Sequence, residues 1–448
     1  ASQQRDHGYI NANDDKRLSL ADLRADFKPT TYDDLMVNLG VSYLEAGDGF
    51  ADSDGNQLRT VSSQSSHLAL QWRRELSATD ELLVTANHNE DAREDVAPFR
   101  PLPAVLIDFS GAGWTNNLEV QRKSVLNEQL RTAFGAGYKN EVAVSSALFS
   151  TRGQQSFHEE RLFGTLEWRA TPQWLLNTGL FVGQHSVAGV YTAPRLMVNW
   201  LPTAEHTFRA GVTESVRTPS LFEYYGDVRY SYMGTLLART WAARGNIEPE
   251  RLQSEELGYQ GRFSEARVTL DVRVFRERMK TILRNSLYQS SVYLPRTGYD
   301  LQDFENAPGF NLKGIEYQLR WKPSAFSELW LNQTFESLDW ANNYYNTTDE
   351  RQPPKHNTTI AWFQQLPGPF ELGVIHQLQG SMTWRDKRDP IPFTRRTDVR
   401  LAHPFRLDSR KAEVALVVQS VQGNQPTFLT SRQFEAPRKV FLQLKLEI

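Results

Sequence analysis

The densest set of side chains able to do chemistry lies between residues 217 and 252. Arg217, Tyr224, Tyr225, Arg229, Tyr230, Tyr232, Arg239, Trp241 and Arg244 share one stretch there. Guanidinium groups donate paired hydrogen bonds to carboxylate-type oxygens, and Tyr and Trp offer flat faces for stacking. The combination suits capture of a flat anionic small molecule such as a metal chelate. The same residue types also pack on one another in long loops, and composition alone leaves both readings open. Asp339-Trp340-Ala341-Asn342-Asn343-Tyr344-Tyr345 has a similar character. Catalysis finds no support: the nine histidines are scattered without an HExxH pair, and there is no cysteine to serve as nucleophile or thiolate ligand. Asp14-Asp15, Asp33-Asp34 and Glu159-Glu160 are adjacent, and neighbours on a strand face opposite ways, so none forms an acid/base couple. Asp48, Asp52 and Asp54 match a hard-cation loop only loosely. Gly111-Ala112-Gly113 reads as a loop with no helix behind it to cradle phosphate. We therefore expect no catalytic group, no metal site and no cofactor.

The elements that must hold this loop show a period of two. Val440, Leu442, Leu444, Leu446 and Ile448 alternate with Phe441, Gln443, Lys445 and Glu447. Val268, Leu270, Val272 and Val274 alternate with Arg267, Thr269, Asp271 and Arg273, and Ile315, Tyr317, Leu319 and Trp321 with Gly314, Glu316, Gln318 and Arg320. Leu68, Leu70 and Trp72, and Leu257, Tyr259 and Phe263, do the same. Such a pattern marks strands with two different faces. No apolar run approaches the length of a membrane helix, and the mean hydropathy is −0.53, a value a membrane barrel also gives because only alternate residues meet lipid. A net charge of −3 gives no reason to expect nucleic acid as a partner.

Connection lengths separate a membrane barrel from a soluble sandwich. Short turns are expected at Pro29–Asp34, Ser77–Asp80, Thr171–Gln173, Pro202–His206, Ser264–Ala266, Pro323–Ser327, Pro367–Pro369 and Pro404–Ser409. Long polar segments fall between them near 46–62, 91–114, 217–252, 284–309, 339–354 and 383–393. Short turns on one rim and long loops on the other is the layout of an outer-membrane barrel. Phe27, Trp168, Trp174, Trp200, Phe208, Phe263, Trp321, Trp330 and Phe370 sit beside the short turns, where an interfacial girdle belongs. The sequence thus predicts an all-β, transmembrane antiparallel β-barrel of about 19 strands, located in the bacterial outer membrane in contact with its lipid and lipopolysaccharide. Arg73, Glu167, Asp271, Arg273, Glu316, Arg320 and Arg400 should line its lumen.

Ala210-Gly211-Val212, Val216-Arg217-Thr218-Pro219-Ser220-Leu221-Phe222-Glu223, Gly245-Asn246-Ile247-Glu248-Pro249-Glu250 and Ser254-Glu255-Glu256-Leu257-Gly258-Tyr259 follow one another in order. With Pro194-Arg195-Leu196, Leu312-Lys313-Gly314-Ile315-Glu316 and the final Arg438-Lys439-Val440-Phe441, they resemble the barrel of TonB-dependent outer-membrane receptors. The resemblance implies a 22-stranded barrel, a plug domain inside it and uptake of a nutrient or metal chelate powered by the TonB complex. It also implies that Gly8-Tyr9-Ile10 tops the third strand, so residues 1–448 read as barrel alone, in mature or trimmed form, without plug or first strands. Haem receptors of this family carry a histidine between the two central motifs; none lies between Arg217 and Glu250. A plugless passive or export pore, for example for a polysaccharide, is the competing expectation. An incomplete barrel would leave strand edges unpaired in lipid, so the chain is expected to close with fewer strands or to pair with a further fragment.

Overall fold

A computed structural model describes residues 2–53, 56–99, 102–150, 153–288, 301–341, 352–383, 390–408, 410–429 and 432–446. One antiparallel meander dominates. Its strands are β1 (Ser2–Asp6), β2 (Lys16–Thr30), β3 (Asp33–Asp48), β4 (Arg59–Ser77), β5 (Asp80–Glu94), β6 (Gly111–Val125), β7 (Leu130–Val144), β8 (Gln154–Thr171), β9 (Trp174–His185) and β10 (Gly189–Trp200). They continue as β11 (His206–Arg217), β12 (Glu250–Phe263), β13 (Val268–Tyr288), β14 (Leu301–Ser324), β15 (Ser327–Trp340), β16 (His356–Gln365), β17 (Glu371–Gln379), β18 (Thr394–Leu407), β19 (Arg410–Gln419) and β20 (Lys439–Leu446). The 22-stranded sheet comprises these twenty and a loop hairpin, Asp227–Tyr232 with Thr235–Ala242, attached through a single bridge from Trp241 to Gln302. Two helical turns, α1 (Ser146–Phe149) and α2 (Leu221–Tyr225), lie at the long-loop rim.

Register carries one face round the wall, because directly paired residues of antiparallel strands point the same way. Val268 pairs with Trp321, Trp321 with Leu329, Leu329 with Trp362, Trp362 with Val374, Val374 with Val399, Val399 with Val418 and Val418 with Val440. In the other direction Val272 leads through Tyr259, Phe208 and Trp200 to Trp174. This face is exposed along its length: Leu257 is 64% exposed and Leu162 62%. Apolar side chains arrayed this way would cost a water-soluble protein about 1.5–3 kcal/mol each, and lipid removes that cost. All seven expected lumen residues fall on the opposite face. There Arg273 reaches Glu256 at 2.7 Å and Glu316 at 3.4 Å, and Arg209 reaches Glu256 at 3.3 Å.

Eight of the nine expected girdle aromatics sit on the outward parity or in short turns, with Trp174, Trp200 and Phe208 stacked in sequence at centroid distances of 6.0 and 5.2 Å. Trp330 differs. It pairs with Arg320 on the lumen face, lies under that guanidinium at 5.2 Å, and donates its indole N–H to Glu328. Other departures are local. Among the described residues the wall has twenty strands, one more than the expected 19, the addition being the five-residue β1 paired to the upper part of β2. The short turn at 126–129 carries no Pro or Gly, and β9 and β10 are joined at the long-loop rim by only Ser186–Ala188. Gly111–Gly113 opens β6 and is not a loop. Among the described residues no ladder joins β1 to β20. The two edges meet at the long-loop rim, where Lys439 reaches Asp6 at 3.2 Å and the Ile10 N–H donates to the Glu435 carbonyl at 2.9 Å.

Candidate functional site

The segment between β11 and β12 is built from a clamp. Ser220 caps α2, its hydroxyl accepting the Glu223 N–H at 3.3 Å while its own N–H donates to the Glu223 carboxylate at 2.7 Å. This reciprocal cap satisfies two orphan donors of the turn. Arg217, the last residue of β11, donates two hydrogen bonds of 3.0 Å to Glu223 and a third to Glu250, the first residue of β12. One guanidinium thus ties the strand pair to the turn between them. Burial pushes the Glu223 carboxyl upward, but Arg217 and the Ser220 N–H outweigh it and hold the group below its usual value.

The other arginines of the stretch are also engaged by the protein's own acids. Asp227 is buried and receives Arg229 at 3.0 and 2.9 Å and Arg239 at 2.8 Å, which locks the base of the hairpin. Arg244 donates to buried Asp303 of β14 at 2.6 Å. The aromatic residues fall into two groups on either side of α2. Tyr224 and Tyr225 pack edge-on at 5.0 Å, and both meet Phe157 of β8, at 6.0 and 5.5 Å, with His185 4.9 Å from the same ring. Trp241 packs at 5.0 Å on both Phe222 and Phe304, and its indole N–H is buried with no acceptor. Tyr230 is half-buried along the hairpin, and Tyr232 is exposed near its tip.

The aromatic wall continues beyond the expected residues. Phe310 and Trp340 meet edge-to-face at 5.3 Å, and a cleft of about 470 Å³ opens beside them, lined by Met279, Leu283, Phe304, Phe310, Leu312 and Trp340. All six occupy inward-parity positions on β13, β14 and β15 above the charged lumen belt. The sequence pattern suggests a polar loop at 284–309, yet Phe304 within it and Phe310 just beyond it form, with Asn306, Pro308 and Leu312, an every-second-residue series on β14. Of the expected second loop, Asp339 pairs with Lys313 at 3.2 Å, while residues 342–345 lie outside the described residues. In the loosely cation-like loop Asp48 is taken by Arg59 and Arg93, and Asp54 lies outside the described residues. Among the described residues no cluster of three or more His, Asp or Glu could hold a metal ion.

Twenty antiparallel strands with an apolar outward face, a charged lumen and long loops on one rim define an outer-membrane β-barrel. A family model described as the TonB-dependent receptor-like β-barrel matches residues 3–410, and the chain belongs to that family. The protein is accordingly a receptor-class barrel of the outer membrane, not an enzyme. Solved structures share the fold at low identity. A mutant of the ferric enterobactin receptor PfeA from Pseudomonas aeruginosa superposes with a TM-score of 0.79 at 13% identity, covering 97% of this chain and 70% of its own. The siderophore receptor PirA from Acinetobacter baumannii gives 0.76 at 12%, covering 96% and 70%. The ferric-catecholate import receptor Fiu from K12 E. coli gives 0.74 at 10%, covering 99% and 76%. No curated protein matches the sequence.

Proposed function

We propose that this barrel belongs to a receptor that captures a ring-bearing metal chelate of the siderophore type at its outer vestibule, for TonB-dependent passage into the periplasm. The observation that carries the reading is the aromatic inner wall formed by Phe222, Trp241, Phe304, Phe310 and Trp340. Rings presented at the mouth of an otherwise charged lumen favour a ligand with flat aromatic groups, whose stacking contributes about 0.5–1.5 kcal/mol per well-placed pair. In this reading Arg217, Arg229, Arg239 and Arg244 brace the loop. Tyr224, Tyr225, Tyr230 and Trp241 offer surface to the ligand, and the guanidinium edges add anion attraction. The TonB complex is the partner that would supply energy, through the plug region the family resemblance implies, and outer-membrane lipid and lipopolysaccharide form the surroundings. The siderophore receptors that share the fold support this ligand class.

The test is titration of the purified protein with a ferric tris-catecholate, read by quenching of tryptophan fluorescence. Saturable binding that weakens about tenfold in Phe310→Ala is expected. Binding indifferent to Phe310→Ala and Trp241→Ala would remove the wall from the account.

A further inference from the structure

The outward face of β13 changes character along its length. Its outward positions read Val268, Leu270, Val272 and Val274, then Arg276, Arg278 and Lys280. A strand rises about 3.4 Å per residue and tilts about 35–45° in such barrels. Taking Val268, level with Phe263 and Trp321, as the lower interface, Arg276 stands roughly 21 Å above it, Arg278 roughly 26 Å and Lys280 roughly 31 Å. The apolar band of an outer-membrane barrel is about 25 Å tall. Arg276 therefore sits just below the top of the outer-leaflet hydrocarbon, and Arg278 and Lys280 stand above it.

Neighbouring strands extend the patch. Lys313 on β14 is the direct partner of Arg276, and Arg251 on β12 shares the outward parity. The carboxylates on this face are largely committed: Glu214 to Arg251 at 2.8 Å, Asp339 to Lys313 at 3.2 Å and Glu305 to Arg284 at 2.9 Å. Glu255 stands opposite Arg276 and accepts from Gln253 at 3.3 Å. Arg276 and Lys280 are exposed and, among the described residues, make no ion pair or side-chain hydrogen bond, while Arg278 holds only Asn311 there, at 3.3 Å. The distribution is lopsided. On β4 to β8 the outward positions of the upper half include Gln64, Ser66, His88, Glu90, Asn116, Asn140 and Glu160, with no Arg or Lys.

We propose that Arg276, Arg278 and Lys280, flanked by Lys313, form a docking site for the phosphate groups of outer-leaflet lipopolysaccharide. The site rests on the outer-membrane placement of the barrel and is independent of which nutrient the vestibule takes. Exposed arginines at this level have two favourable options, water or phosphate, and phosphate monoesters offer the paired acceptors that match a guanidinium fork. A column of cations spaced about 7 Å apart on one strand presents a line of charge to a glycolipid bearing more than one phosphate. Lysine at the top and arginine below also let the apolar stems lie along acyl chains while the heads stay at the interface.

The experiment uses the purified protein in detergent and native mass spectrometry with bisphosphorylated lipid A. The protein is expected to retain one or more lipid A molecules, and Arg276→Gln/Arg278→Gln/Lys280→Gln to weaken retention at least tenfold. Gln64→Ala/Ser66→Ala/Asn116→Ala, on the opposite sector, should leave it unchanged. Heat-dependent gel mobility reports whether each variant is folded, and Arg276→Lys/Arg278→Lys, which keeps the charge, should retain lipid A. Retention unchanged in the triple glutamine variant overturns the proposal. So does equal retention of dephosphorylated lipid A or of phosphatidylglycerol, or displacement of lipid A by inorganic phosphate alone.

Discussion

Arg217→Ala is the perturbation that separates a braced loop from a loose one. Its guanidinium makes two 3.0 Å hydrogen bonds to Glu223 and another to Glu250. Hydrogen bonds to charged partners contribute about 1.5–3 kcal/mol when buried. Arg217 is 48% exposed, so solvent screening reduces that figure; a local loss of about 1–2 kcal/mol remains, a factor of roughly 5–30 in the opening of α2. The barrel itself should be untouched, because the clamp lies above the wall. Hydrogen exchange followed by mass spectrometry reads the effect at the Tyr224 and Gly226 amides, which donate to Ser220 and Phe222 at 3.1 and 2.9 Å. Both should exchange faster by the stated factor while β12 and β13 stay protected. The sign of the pH dependence follows from Glu223, whose pKa is lower folded than unfolded. Its contribution is full above the ordinary glutamate value of about 4.3 and is lost as pH falls through the depressed folded value. Protection of Tyr224 should therefore be flat at neutral pH and fade only in acid. Exchange unchanged in Arg217→Ala, or protection that fades on going from pH 7 to pH 9, would refute the clamp.

Other expectations follow from single contacts. Val272→Arg places a charge on the lipid face roughly 10 Å above the lower interface, and should lower stability by about 2–4 kcal/mol in urea titrations in lipid vesicles; a loss below 0.5 kcal/mol would contradict the facing. Gly309→Ala would set a methyl 1.9 Å from the Met279 carbonyl oxygen, a backbone atom that cannot step aside. It should abolish the heat-modifiable folded band on a gel, whereas Gly373→Ala, whose nearest neighbour is the Phe363 ring at 3.5 Å, should keep it. Phe157→Ala removes a fully buried ring shared by His185, Tyr224 and Tyr225; a local cost of about 3–5 kcal/mol should appear as rapid exchange through α2, and normal exchange there would dismiss the packing.

The barrel was legible because membrane and lumen impose opposite polarity on alternate residues, and series such as Val268 to Val274 carry that constraint without tertiary information. Six of the eight expected short turns carry Pro; Ser77–Asp80 and Ser264–Ala266 carry neither Pro nor Gly, and neither does Leu126–Gln129, which is not among the expected turns. The site was harder to read for a physical reason. Above the membrane the polarity of β13 and β14 inverts: Arg276, Arg278 and Lys280 point outward to water or headgroups, and Met279, Leu283, Phe304 and Phe310 point inward. A pattern whose apolar face changes sides reads as a polar loop, although the backbone continues as strand to Tyr288 and resumes at Leu301. Arg229, Arg239 and Arg244 illustrate the complementary limit. Their spacing is equally compatible with a ligand's oxygens and with Asp227 and Asp303, and only the fold pairs them with the latter. Trp330 shows the same ambiguity at the other rim, where proximity to a turn does not reveal which face a ring occupies.

The most direct test of the account is uptake of radiolabelled iron, supplied as a ferric tris-catecholate, by cells making the full receptor or its Phe304→Ala/Phe310→Ala variant, each with and without a functional TonB. The account predicts accumulation that requires TonB and drops at least tenfold in the variant while surface abundance is unchanged. Accumulation that ignores both TonB and the aromatic wall, together with ligand-indifferent ion conductance of the purified barrel in planar bilayers, would mark a passive pore and contradict it.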